Sequence, residues 1–482
     1  MPAPERLTGL DASFLALESG GAHMHVGSCL VFEGEAPAYR EFVGQIERRL
    51  GLVPRYRQKL AFPPLRQARP VWVDDPHFNV EYHVRHTALP PPAGEDELRA
   101  LAGRVFSQRL DRAKPLWELW LVERVREDRF AIISKTHHCL VDGVSGVDIA
   151  TVLFDLEPDP PPAPPPAPWV PRPEPSAAML WSDAVGELAG TPVELARATG
   201  DAVVHPRRAV ASGAAAVRGL GALARAGLNG APRSPLNVRI GPHRRFAWVD
   251  GDLALFKAIK AALGGTVNDL VLAVVAGALR THLERHGEDP ARLALKAMVP
   301  VSVRADAERG ALGNRVAAVY APLPVGLADP IARVRAVHEA MGGLKASGQA
   351  VGAERIAALA GFASPTVLSQ AARLQARQRF FNLTVTNVPG PQFPLYLLGR
   401  RLRELYPLVP LAENTALGIA VMSYDGSVGF GLVSDYDALP DLDALAAALG
   451  DAILELADAA GVGDEVARAN GRTPVPREGA RR

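Results

Sequence analysis

Cysteine is nearly absent: Cys29 and Cys139 are the only two in 482 residues, and they form no CxxC pair. A disulfide framework is excluded, and a reducing, cytoplasmic setting is expected. Net charge is missing as well, since 53 Lys and Arg balance 52 Asp and Glu to leave +1. No global field draws the chain to nucleic acid, so a charged partner has to be recognised through a local patch. Long apolar runs are also lacking. The best of them, "LVLAVVAGAL" at 270–279, is half of the ~20 residues that span a bilayer and reads as a buried helix. The opening "MPAPERLTGLDASFL" has neither the basic start nor the continuous apolar core of a secretory signal. Any membrane contact is therefore expected to be peripheral. There is no short-period repeat.

What is present is a globular composition, 48% hydrophobic and 22% charged, over a length that suits two or three compact domains. The clearest boundary is "PDPPPAPPPAPWVPRPEP", 158–175, where 11 of 18 residues are proline and neither a helix nor a sheet ladder can continue. Before it, "VGSCLVF" and "RFAIISKT" read as strands and "YREFVGQIERRL" as a helix. After it, "LALKAMVPVSV", "RVAAVYAPLPV" and "FNLTVTNV" read as strands. "ALGIAVMSYDGSVGFGLVSD" reads as a hairpin turning at Asp425 and Gly426, a pair that suits a two-residue loop. The expected organisation is an α/β half over 1–157, a proline- and arginine-rich linker over 158–244, a second α/β half over 245–465 and a tail over 466–482.

Within that linker lies the local charge. Residues 202–249 hold eight arginines (207, 208, 218, 225, 233, 239, 244 and 245) and no acid. If "PRRAVASGAAAVRGLGALARAGL" is helical, Arg207, Arg218 and Arg225 line a stripe beside Val210, Val217 and Leu228, which suits an interfacial helix. Four glycines weaken that helix. A solvated connector and an anionic lipid contact both remain open.

The chemistry concentrates in "ISKTHHCLVDGVSG", 133–146. On a strand, adjacent side chains face opposite ways, so Phe130, Ile132, Ser134, Thr136 and His138 share one face while Ile133, Lys135 and His137 share the other. The two histidines then cannot enter one cavity, no HExxH or Cys/His cluster accompanies them, and no metal site is expected. Ser145 in "GVSGV" lacks the spacing of a nucleophile elbow. Asp142 reads as a cap where a strand gives way to a helix, and either histidine can be a core residue. General-base chemistry is the alternative, since a neutral imidazole takes a proton near the working pH.

"HHCLVDG" matches the HHxxxDG signature of CoA-dependent acyltransferases and of peptide-synthetase condensation domains. Around it, "LTGLDASFLALESGGAHMHVGSCLVFEG", "KPLWELWLVE", "TVNDLVLAVVAGALR", "MVPVSVR", "GNRVAAVYAPLPV" and "NVPGPQFPLYLLGRRL" follow in order. Together these resemble the bacterial wax ester synthase/diacylglycerol acyltransferase family. The resemblance implies a mixed α/β fold of two chloramphenicol acetyltransferase-like halves joined by a long crossover, with the active site at their interface. It implies that His138 is the general base, that His137 supports it, and that Asp142 is structural and paired with an arginine, for which Arg304 is the candidate. Gly143 would permit the tight turn and close substrate approach.

Asn268 reads either as the cap of the buried helix or as a substrate contact, while Asp269 is expected to cap or to meet the helix dipole. Trp117 of "PLW" has a core explanation, and His25 is expected to be structural. By the same resemblance the partners are acyl-CoA as co-substrate, with no other cofactor, and diacylglycerol or a long-chain alcohol as acceptor. A peripheral membrane or lipid-inclusion surface, no nucleic acid, and a monomer or homodimer complete the expectation. Two other readings stay in view, a carrier-protein-dependent, condensation-like enzyme and a lipid-surface protein without turnover.

Overall fold

The structure is a computed structural model describing residues 5–18, 20–64, 68–126, 128–141, 154–161, 168–186, 230–302, 316–346 and 379–463. The strands are β1 (His25–Glu33), β2 (Gln58–Ala61), β3 (Val71–Asp74), β4 (Val84–Ala88), β5 (Trp117–Glu123), β6 (Arg129–His137) and β7 (Arg244–Asp252). They continue as β8 (Lys296–Ser302), β9 (Val316–Pro322), β10 (Leu383–Pro389), β11 (Tyr396–Leu397), β12 (Arg400–Leu408), β13 (Leu417–Tyr424) and β14 (Ser427–Asp435). One six-stranded sheet runs β11-β12-β1-β6-β5-β4 and a second runs β7-β14-β13-β10-β8-β9, with β2 and β3 pairing apart from both. Both large sheets mix parallel and antiparallel neighbours: β4 and β5, β10 and β13, and β10 and β8 are parallel.

The two halves interlock. β12 comes late in the chain, yet it pairs antiparallel with β1 in the first sheet, with a bulge between Val31 and Phe32. β12 also lies against β14 of the second sheet, and glycine makes that approach feasible. A Cβ on Gly429 would sit 2.1 Å from the Leu405 carbonyl oxygen and one on Gly431 1.8 Å from that of Pro407. Two residues apart on a strand share a face, so both glycines open the same side of β14 to β12. The Glu95–Ser107 helix is held against β7 in the same manner, for a Cβ on Gly103 would lie 2.7 Å from the Arg244 carbonyl oxygen.

One hydrophobic core therefore joins the halves, running from Cys29, Val31 and Ile133 through Val105 to Trp248, Leu272 and Leu449, while a second fills the far side of the first sheet around Phe32, Phe130 and Trp117. The "LVLAVVAGAL" stretch is, as expected, inside a helix, Val267–Arg285, with Leu270 to Leu279 all buried. Its cap is Thr266, which accepts from the Asp269 N–H while Asp269 reaches back to the Thr266 N–H. Asp269 caps as expected; Asn268 does not, because the chain enters the helix two residues earlier. Among the described residues no single helix is long and apolar enough to cross a membrane.

The hairpin turns at Asp425 and Gly426, both at positive φ (42° and 85°), with Tyr424 opposite Ser427. That is the two-residue turn whose twist matches the flanking strands. Past the densest prolines, residues 168–175 form neither helix nor strand, and Arg172 ties them to Asp74 of β3 through its N–H, Nε and guanidinium.

Candidate active site

β6 and β1 pair in register with His137 opposite His25. β6 ends at His137, whose N–H donates to the Leu116 carbonyl at 2.9 Å. His138 begins a one-turn helix, His138–Val141, and its N–H donates to Met24 at 2.8 Å. The strand alternation therefore stops one residue short of the expected point. The backbone turn, rather than the pleat, sends the two rings to different surroundings.

His137 is sealed, with a side chain only 1% exposed. Its Nδ1 accepts the Cys139 N–H at 3.1 Å, so the ring proton belongs on Nε2, which lies 3.4 Å from Glu18 Oε2. Glu18 also receives Arg112, through Nε at 3.1 Å and through the guanidinium terminus. Burial alone would raise the Glu18 carboxyl, but hydrogen bonds and charge from His137 and Arg112 outweigh it and hold the group at about 2. Glu18 is thus a fixed anion that orients His137. With both nitrogens facing protein groups, His137 has no lone pair to offer a substrate or a metal.

His138 differs. It is only partly buried and stacks on Phe14 of the Gly9–Leu17 helix, ring centroids 3.9 Å apart and planes 26° from parallel. Thr8 caps that helix by accepting the Asp11 N–H, which sets the position of Phe14 and of Glu18 just beyond its end. The neighbouring Cys139 is buried, and burial pushes its thiol well above the ordinary range, so it is no nucleophile at neutral pH.

Behind this pair lies a layer of neutral imidazoles linking the halves. His23 Nδ1 accepts from Arg109 Nε at 3.2 Å, and its Nε2–H donates to the Pro242 carbonyl at 3.1 Å. Burial, and then the charge of Arg244, lowers His23 to about 4. Burial lowers His25 well below its ordinary value, with Lys135 adding to the effect; its role is structural, as expected. Lys135 itself is fully buried and donates to the Val105 and Gln108 carbonyls at 2.9 and 2.8 Å, closing the C-terminus of the Glu95–Ser107 helix. Burial lowers its ammonium to about 8. Trp117 of "PLW" is a core residue, its indole N–H donating to the Tyr56 carbonyl at 2.7 Å.

His137 and His138 are thus brought to one place and given different environments. Asp142, Gly143 and Arg304 lie outside the described residues. Asn268 is partly buried in the first turn of the Val267–Arg285 helix. Glu18 and Arg112 had not been singled out in the sequence. The available signal was that Glu18 is the one acid in residues 12–32, a stretch that also holds His23 and His25. Arg244, counted above in the basic patch, is buried; its guanidinium donates to the Gly241 and His243 carbonyls at 2.7 and 2.9 Å and to that of Gly21. It joins the halves and is unavailable to a lipid surface.

Residues 7–271 match the wax ester synthase/diacylglycerol acyltransferase catalytic domain, and residues 312–457 match the C-terminal domain of the same enzymes. A Mycobacterium tuberculosis protein named as a diacylglycerol O-acyltransferase is 34% identical over 473 residues, covering 94% of this chain and 90% of its own length. The solved wax ester synthase/diacylglycerol acyltransferase of Marinobacter aquaeolei VT8 superposes with a TM-score of 0.66 at 30% identity, over 95% of this chain and 100% of that one. A mutant starter condensation domain of rhizomide synthetase, in complex with C8-CoA and Leu-SNAC, superposes with a TM-score of 0.55 at 14% identity, over 95% and 94% of the two chains. That last likeness is one of fold.

Proposed function

The chain belongs to the wax ester synthase/diacylglycerol acyltransferase family, and from that premise we propose that His138 is the general base of its acyl transfer. The protein is an acyltransferase of the diacylglycerol and wax ester type. Its donor is an acyl-CoA and its acceptor the hydroxyl of diacylglycerol or of a long-chain alcohol. The His138 imidazole takes the hydroxyl proton as the oxygen attacks the thioester carbonyl. The carbon–sulfur bond then breaks, and the imidazolium returns the proton to the departing CoA sulfur. Atoms balance with an ester and CoA–SH as products, and no covalent acyl-enzyme is required. A carrier-protein donor is not favoured, because the condensation-domain likeness is of fold alone.

The observation behind this reading is the asymmetry of the pair: His137 is sealed with both nitrogens facing protein groups, while His138 is partly exposed on the Phe14 ring. His137 then acts as a positioning residue. Its Nδ1 holds the Cys139 N–H, which fixes the first bend after His138, and Glu18 holds its other nitrogen. In this proposal Asp142 anchors the same turn with Arg304 as partner, Gly143 leaves room for the thioester, and Asn268 contacts substrate. The exposed arginines of the linker meet an anionic lipid surface from which the acceptor is drawn.

His138→Ala is expected to lower ester formation from palmitoyl-CoA by ~10²-fold or more while leaving the circular dichroism spectrum unchanged. A folded His138→Ala protein with wild-type turnover would overturn the assignment.

A further inference from the structure

We propose that His282, His286 and Asp441 form a binding site for a divalent transition-metal ion of the zinc class. The site lies on the second half, where the end of the Val267–Arg285 helix meets the start of the Leu442–Ala459 helix. It is independent of the acyl-transfer reading, and none of its residues belongs to the catalytic cluster around His138.

His282 and His286 are four residues apart, so they stand on one helical face a turn apart. His286 Nδ1–H donates to the His282 carbonyl at 2.8 Å, which places the free lone pair on Nε2. An outer hydrogen bond of this kind is how metal-binding imidazoles are oriented. That Nε2 is 3.5 Å from Asp441 Oδ2, and His282 Nδ1 is 3.7 Å from the same oxygen. All three donor atoms lie within 4.8 Å of one another. Zinc–ligand bonds of ~2.0–2.2 Å in a tetrahedron separate donors by ~3.4 Å. Two of the three spacings are near that value, and the third, between the two imidazole nitrogens, is within 4.8 Å.

The surroundings favour a cation. Asp441 supplies a carboxylate whose second oxygen, Oδ1, is buried without a hydrogen-bond partner. The end of the Val267–Arg285 helix and the start of the Leu442–Ala459 helix bring opposite dipole ends to the site, so the carboxylate is its main negative charge. His282 is buried, so its ring is held in place against the Asp441 carboxylate. The two imidazole rings lie side by side, centroids 4.4 Å apart. The nearby guanidinium of Arg285 donates to the Ala444 carbonyl at 3.3 Å. Two imidazoles and one carboxylate are borderline nitrogen and oxygen donors, which suit zinc or cobalt better than magnesium or calcium. A bound ion would clamp two helices that already pack together, so its role is structural.

Isothermal titration of chelator-treated full-length protein with Zn²⁺, paired with thermal unfolding, tests this. One equivalent is expected to bind and to raise the unfolding temperature. His286→Ala and Asp441→Asn, both at partly exposed side chains, should each weaken binding at least tenfold and remove the thermal shift while keeping the wild-type circular dichroism spectrum. Absence of a one-equivalent site would overturn the proposal. So would binding that both variants retain, since the ion would then sit on other histidines.

Discussion

At the scale of single residues, the site seals His137 between Glu18 and the Cys139 N–H and leaves the His138 ring partly exposed on Phe14. Glu18 shows the energetic consequence. Its folded pKa of about 2 lies below its ordinary value of 4.5, so its carboxylate stabilises the fold above that value, and the contribution disappears as pH falls from 4.5 toward 2. Glu18→Gln is therefore expected to cost up to about 3 kcal/mol at pH 6, and the gap from wild type should shrink as the pH is lowered through that window. Urea unfolding followed by tryptophan fluorescence reads the difference; a gap independent of pH would show that Glu18 is not held ionised. His23 adds a separate acid sensitivity. Its folded value of about 4 lies below the ordinary 6.5, so the unfolded chain takes up the proton first and stability falls over that interval. The histidine pair was legible in sequence because HHxxxDG is a compact motif. The Glu18–His137 contact was not, for it brings together residues more than a hundred positions apart and depends on where a helix ends.

Individual elements were easier to read where one period dominated. β1, β6, the Tyr39–Arg49 helix and the Asp425–Gly426 hairpin all stand where alternation, helical spacing or turn residues pointed. The neighbour of each strand was another matter, because pairing is a tertiary choice. That β12 leaves its own half to lie beside β1 follows from no local pattern, and glycines such as Gly431 acquire a meaning only once β12 is seen against them. Gly431→Ala is expected to cost about 3 kcal/mol, since its Cβ would be forced into backbone that cannot rotate away. Gly426→Ala, which meets nothing within 4 Å but has φ at 85°, should lose only the ~1–2 kcal/mol of left-handed strain. Calorimetric unfolding of the two variants separates them, and equal shifts would contradict the close approach of β12 and β14.

For the molecule as a whole, the proposal of a lipid surface rests on charge in residues 202–249, six of whose eight arginines remain once the buried Arg244 and Arg245, whose Nε donates to the Tyr436 carbonyl, are set aside. Four of them, Arg207, Arg208, Arg218 and Arg225, lie outside the described residues, while Arg233 and Arg239 are exposed. Flotation with anionic vesicles should recover the full-length protein, and deletion of 202–229, which removes four arginines and keeps the core residue Leu236, should release much of it, each basic side chain near the surface contributing ~1 kcal/mol. Undiminished flotation after that deletion would remove the linker from membrane binding. The exchange of β12 between the halves has a further consequence during synthesis. β1 is made almost at the outset, but its outer hydrogen-bonding edge has no partner until Arg400–Leu408 has left the ribosome. For most of translation the nascent chain therefore carries an apolar, open-edged strand, the kind of surface that aggregates or engages chaperones. The first half cannot complete its sheet before the second is nearly finished.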